Sequence, residues 1–253
     1  MISRRCFLRL AITGSLAIGG AALLRAQAVA PRIYLPIIQV PPSPDDAPLL
    51  GPASGTVDQA VAWFASRADS SYSDYDLGVI AGAYQTVGES VGMDWFLAMA
   101  QCVHETGSLT SWWSLRPRRN PAGLGVTGQV VAGTADAPPG PLTAWAWDES
   151  ILSWRYGISF PTWTDQSVPA HLGRLLAYAL TDEQADDTQR ALIATALAYR
   201  PLPTNYRGAA PSIQGLNGRW AVPGTTYGQT IVDLMRRMLG TGGTSSPQSP
   251  LVL

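Results

Sequence analysis

The sequence has no lysine; every one of its 17 basic residues is arginine, and they face 18 acids for a formal charge of −1. A nucleic-acid surface needs a basic excess, so that class of partner is excluded. Two cysteines and two histidines are too few for a disulfide-built scaffold or a Cys/His zinc site. Charged residues reach only 14%, well under the roughly 25% of an average soluble domain. No apolar run approaches the ~20 residues of a membrane-spanning helix. The longest, residues 10–24, has 15.

What is present divides the chain into four parts. Ser3-Arg4-Arg5-Cys6-Phe7-Leu8-Arg9 precedes the short apolar run, and Ala26-Gln27-Ala28 follows it. A charged start, a short apolar stretch and an A-x-A site describe a secretory signal peptide, here 1–28, with an uncleaved membrane anchor as the competing reading. The paired arginines resemble the twin-arginine signal, which implies export of an already folded protein through that machinery. Cleavage after Ala28 leaves 13 arginines against 18 acids, a charge of −5, and one cysteine, Cys102. Residues 29–55 carry seven prolines, each fixing φ and removing a donor, and read as a semi-rigid spacer. Residues 241–253, rich in Gly, Ser, Thr and Pro, read as a disordered tail. One domain remains, 56–240, and 46% apolar content gives it a core.

Within the domain the periodicity is mostly helical. Helices are expected from Thr56, with Val57, Val61, Trp63 and Phe64 inward, and from Asp76 through Val87. A third is expected over 95–106, capped by Asp94 and stopped by Gly107. Further helices are expected at 166–179, 182–198 and 227–239. Residues 143–147 and 151–160 read as a hairpin turning at Asp148-Glu149-Ser150. The expected class is α+β, mainly helical, with a small antiparallel hairpin.

Glutamate is scarce: Glu89, Glu105, Glu149 and Glu183 are the full set. Glu105 ends an apolar helix and precedes a Trp-rich loop. Desolvation there disfavours the charged carboxylate and raises its pKa, the condition a general acid needs near neutral pH. A solvated carboxylate at a helix C-terminus is the competing reading. His104-Glu105 does not extend to a zinc H-E-x-x-H motif, because position 108 is Ser.

The segment Ala100-Gln101-Cys102-Val103-His104-Glu105-Thr106-Gly107 resembles the A-Q-x-x-x-E-[ST]-G block of family 73 glycoside hydrolases. Those are bacterial endo-β-N-acetylglucosaminidases of the lysozyme-like superfamily. Asn120-Pro121-Ala122-Gly123-Leu124-Gly125-Val126 is similar to that family's N-N-x-F-G-I-K loop. Phe160-Pro161-Thr162-Trp163 and Ser167-Val168-Pro169-Ala170-His171 are similar to a third block, and Trp220 to Tyr227 to the closing Y-A-T-D-P-x-Y. The resemblance implies a lysozyme-like helical lobe, a small β-lobe and a groove for a glycan chain. It also implies Glu105 as catalytic acid, with no metal and no cofactor.

Two departures stand out. The family's second carboxylate has no counterpart in Thr143-Ala144-Trp145-Ala146-Trp147, which leaves Asp148 and Glu149, with Asp136 as a further candidate. Trp220 stands where the family has tyrosine. Trp112, Trp113, Trp145 and Trp147 are candidate sugar platforms beside Trp220 and Tyr227, since a flat ring covers the C–H face of a pyranose, although core packing explains each as well. Asn120 is a candidate contact that also suits loop ordering. His171 reads as a satisfied core histidine, and Arg116, Arg118 and Arg119 as loop arginines able to face an anionic polymer. The expectation is a monomeric, exported hydrolase of peptidoglycan glycan strands in the periplasm, wall or medium. A lytic transglycosylase and a non-catalytic glycan-binding module are the alternatives.

Overall fold

The computed structural model describes residues 45–242; the segments expected to be an export signal, most of the spacer and the tail from 243 lie outside the described residues. Six α-helices and one small sheet make up this part, an α+β fold dominated by helix. Helix α1 (Val57–Ala65) starts at Thr56 in a reciprocal capping box with Gln59. Helix α2 (Asp74–Ser90) begins two residues before the expected Asp76. Ser73 is the true N-cap there, and Asp76 is its reciprocal partner one turn inside. Helix α3 (Trp95–Thr106) has the expected limits. Asp94 accepts from the Phe96 and Leu97 amides, and Gly107 ends the helix in the left-handed region at φ 57°.

A single π-turn over Trp163–Ser167 leads into α4 (Val168–Ala179), so the α-helix starts two residues later than the periodicity suggests. Helix α5 (Asp187–Tyr199) starts five residues later than expected, because Asp186 with Gln189 forms the stronger cap. Helix α6 (Tyr227–Leu239) has the expected limits. The hairpin is present as β2 (Trp145–Asp148) and β3 (Ser153–Tyr156), with Trp147 opposite Trp154 and Trp145 opposite Tyr156. A third antiparallel strand, β1 (Val130–Ala132), joins the far side of β3. Three residues are too few to show a period of two, which is why sequence pattern misses it.

Helix α3 is the axis of the fold. Ten of its twelve residues are buried, so it is enclosed on all sides rather than amphipathic. Helices α2, α4 and α6 pack around it. Helix α4 approaches α5 at Gly173, where an added Cβ would sit 2.4 Å from the Leu192 carbonyl oxygen. A second, smaller apolar cluster joins Ala122, Leu124, Ile158, Phe160 and Ala170, and Trp220 packs against both clusters.

The part of the proline-rich segment that is described is not free spacer. Leu49 is buried, donates to the Pro211 carbonyl and accepts from the Asp94 amide. Gly51 donates to Gly92, and both the Ser54 amide and its hydroxyl donate to the Asp94 carboxylate. Prolines forfeit donors, but Leu49, Gly51 and Ser54 between them supply enough to bind this strap to the start of α3. The compact domain therefore extends upstream of 56 to at least Asp45.

Candidate active site

Glu105 lies at the last turn of α3, half-buried, where a cleft of about 540 Å3 opens between the two apolar clusters. Tyr227, on the first turn of α6, donates a hydrogen bond to Glu105 Oε1. Burial raises the Glu105 pKa above the ordinary carboxylate value; the Tyr227 hydroxyl, the adjacent His104 and the Trp220 indole oppose the rise without cancelling it. The carboxyl is thus biased toward its protonated form. With Oε1 committed to Tyr227, Oε2 is free to carry the proton. It lies on the side of Gly123, whose Cβ position would be 3.9 Å away.

Behind this carboxyl runs a buried chain of hydrogen bonds. The Gln101 amide nitrogen donates to the Tyr227 oxygen at 2.7 Å. The Gln101 carbonyl lies 3.0 Å from His171 Nε2, and the Tyr84 hydroxyl lies 2.8 Å from His171 Nδ1. An amide carbonyl can only accept, so His171 Nε2 carries the proton and Nδ1 accepts from Tyr84. Burial pushes the His171 pKa down to about 3, which keeps the ring neutral as this pattern requires. Every donor then points along one direction, Tyr84 to His171 to Gln101 to Tyr227 to Glu105. The chain fixes which way the Tyr227 hydroxyl turns.

No protein-family model, curated protein or solved structure matches the chain. The site is therefore argued from its own geometry. Of the residues expected from sequence, the structure brings Glu105, Trp220 and Tyr227 together. Trp220 lines the cleft, and its indole favours the charged form of Glu105 as the family's tyrosine would.

The other candidates lie elsewhere. Asp148 is 3% exposed, paired with Arg155 at 2.6 Å and bonded to Ser150, which holds its pKa below the ordinary value. It closes the β2–β3 turn and does not line the cleft. Glu149 is exposed on the same turn and accepts from the Trp147 indole. Asp136 is exposed and bonded to Thr134. Asn120 is fully buried, with both amide hydrogens given to Leu124 and Ile158 carbonyls and its oxygen accepting two backbone amides. Nothing of Asn120 is left for a substrate; it joins the 120–124 loop to the end of β3.

The tryptophans also separate from Glu105. Trp145 and Trp147 wall a different, apolar depression of about 550 Å3 with Trp154. Trp112 is held between guanidinium groups, Arg118 at 3.6 Å and Arg155 at 5.0 Å, and meets Trp113 edge to face. Arg116 pairs with Asp76, and Arg119 donates to the Pro117 carbonyl. The residues that sequence reading left out are Tyr84, Gln101, Arg174, Arg200 and Arg219. Gln101 and Arg174 carried a signal, since each is a polar residue on a helical face that is otherwise apolar.

Arg200 and Pro201 also border a second depression of about 520 Å3, lined by Gly125, Tyr156, Ile158 and Tyr199.

Proposed function

We propose that this protein is an exported glycosidase that cleaves β-1,4 N-acetylglucosaminyl bonds of peptidoglycan, with Glu105 as general acid on a lysozyme-like helical lobe. The observation that carries the reading is a carboxyl biased toward its protonated form by burial, oriented by Tyr227, in a cleft that shares Arg200 and Pro201 with a second depression. Two neighbouring depressions suit a polymer cut internally. The arrangement supports donation from Glu105 Oε2 to the glycosidic oxygen, after which the carboxylate serves as base toward water.

Among the residues lining the cleft, Glu105 is the single acid. That favours a route in which the sugar's own acetamido oxygen takes the place of a second carboxylate. The same observation favours one alternative, a lytic transglycosylase, in which a hydroxyl of the sugar itself displaces the leaving group. Mass spectrometry of digested wall separates them: new reducing N-acetylglucosamine ends support the glucosaminidase, and anhydro-muramyl ends refute it. Clearing of wall suspensions, run beside a pull-down on insoluble wall, tests catalysis itself. Binding without clearing, unchanged in Glu105→Gln, would make the protein a non-catalytic wall-binding module.

A further inference from the structure

The groove of Glu105 holds three guanidinium groups, those of Arg174, Arg200 and Arg219. In the described residues acids outnumber arginines by eighteen to twelve, yet none of these three is ion-paired. The carboxylates hold Arg116, Arg155, Arg190, Arg207 and Arg236 instead. Arg174 is only 8% exposed; it gives one hydrogen bond to the Arg200 carbonyl and faces the Tyr178 and Trp220 rings at 5.7 and 5.9 Å. Arg200 and Arg219 are exposed at the rim, and Arg219 donates one bond to Gly215.

Burying a guanidinium without a carboxylate costs desolvation energy, and one hydrogen bond with two ring faces leaves the Arg174 pKa still below its ordinary value. Arg200 stands close enough that its charge works against that of Arg174. Like charges gathered in a half-closed groove destabilise the empty protein and are relieved by an anion. The Glu105 proton is governed by burial, Tyr227, His104 and Trp220.

We propose that Arg174, Arg200 and Arg219 form an anion subsite that takes a carboxylate carried by the substrate, so that the preferred glycan is an acidic one. The planar fork of arginine matches a carboxylate through two parallel hydrogen bonds, and Arg174 has donors unspent. This rests on reading the groove as a glycan site. The carboxylate belongs either to an acidic sugar or to a short peptide attached to it, and the guanidiniums would read both in the same way.

The test is calorimetric binding to Glu105→Gln protein, which prevents turnover. Its probes are a muramyl-containing tetrasaccharide as free acid, the same sugar with its carboxylates amidated, and a peptide-bearing form. The free acid should bind about tenfold more tightly than the amide. A preference seen first with the peptide-bearing form would place the carboxylate on the peptide. Either preference should collapse in Arg174→Gln, and in Arg200→Gln with Arg219→Gln. That exposed pair carries the result if Arg174→Gln fails to fold. Arg174→Lys, which keeps charge and loses the fork, should recover only part.

Succinate is a probe independent of glycan binding. It should raise the unfolding temperature of the unaltered protein, and not that of the double variant. Equal affinity for acid and amide, with no rise in unfolding temperature on adding succinate to the unaltered protein, overturns the subsite. No oligosaccharide binding with the succinate response intact overturns the glycan reading and leaves the subsite standing.

Discussion

Glu105 and Tyr227 divide one task between two side chains. Glu105→Gln keeps size and hydrogen-bonding shape but cannot donate a proton on demand, so wall clearing should fall by about 10²–10⁴-fold. Folded Glu105 has a raised pKa, so its contribution to stability is present below the ordinary carboxylate range and is lost as pH rises through the raised value. At neutral pH the Gln variant should therefore unfold at the same temperature or higher, and a marked loss would make Glu105 a structural residue. Tyr227→Phe removes a donor that favours the carboxylate, so the Glu105 pKa should climb further. The alkaline limb of the kcat/KM profile should move to higher pH; an unmoved limb would detach Tyr227 from the proton donor. The same substitution strands the Gln101 amide nitrogen, at a cost of about 1–3 kcal/mol in denaturant unfolding.

The hydrogen-bond chain gives the helices a role beyond packing, because Tyr84 comes from α2, Gln101 from α3, His171 from α4 and Tyr227 from α6. His171 titrates near 3 when folded and near 6.5 when unfolded. The unfolded chain therefore takes up its proton first as pH falls, so stability is complete above about 6.5 and declines toward 3. Denaturant midpoints at pH 7 and pH 4 should differ in this direction, and His171→Gln, less stable at pH 7, should lose less between them. Gly173→Ala should lower stability by about 1–3 kcal/mol, since α4 and α5 must part to admit the methyl group. A thermal scan that shows no loss would mean that α4 and α5 part to admit the methyl group without cost.

Sequence pattern carries the elements well where caps are explicit, as at Thr56, Asp94 and Gly107, and poorly where two acids compete for a cap, as at Asp182 and Asp186. It brought Glu105, Trp220 and Tyr227 to one cleft. It misplaced Asp148, because an acid at a turn reads the same whether it faces substrate or bonds to Arg155 and Ser150. The chain of Tyr84, Gln101 and His171 spans 87 residues of sequence, and no local period reports contacts at that separation.

At the scale of the whole molecule, charge is distributed unevenly. Three of the twelve described arginines line a cleft with one acid, while the rest of the described surface is acidic in balance. Binding to an anionic polymer should then weaken with added salt, and less so in Arg200→Gln with Arg219→Gln. Export is a separate proposal resting on Arg4 and Arg5. Changing both to Lys should leave the protein in the cytoplasm with its signal uncleaved, because the guanidinium forks are lost while the charge is kept. Fractionation with normal export would remove the twin-arginine assignment. Both ends of the described domain lie near the last turn of α6. Asp45 lies 3.6 Å from Arg236 on α6, and Thr241 bonds to the Gln59 carbonyl at the start of α1. Such a fold can be threaded from a different starting point. Joining 241 to 45 through a short Gly/Ser bridge and opening the chain in the exposed stretch 134–139 should give a circular permutant that still unfolds cooperatively. Opening it between Asn120 and Leu124 should not. The domain could then be spliced into a loop of a host protein as a single insert, entering and leaving by one corner.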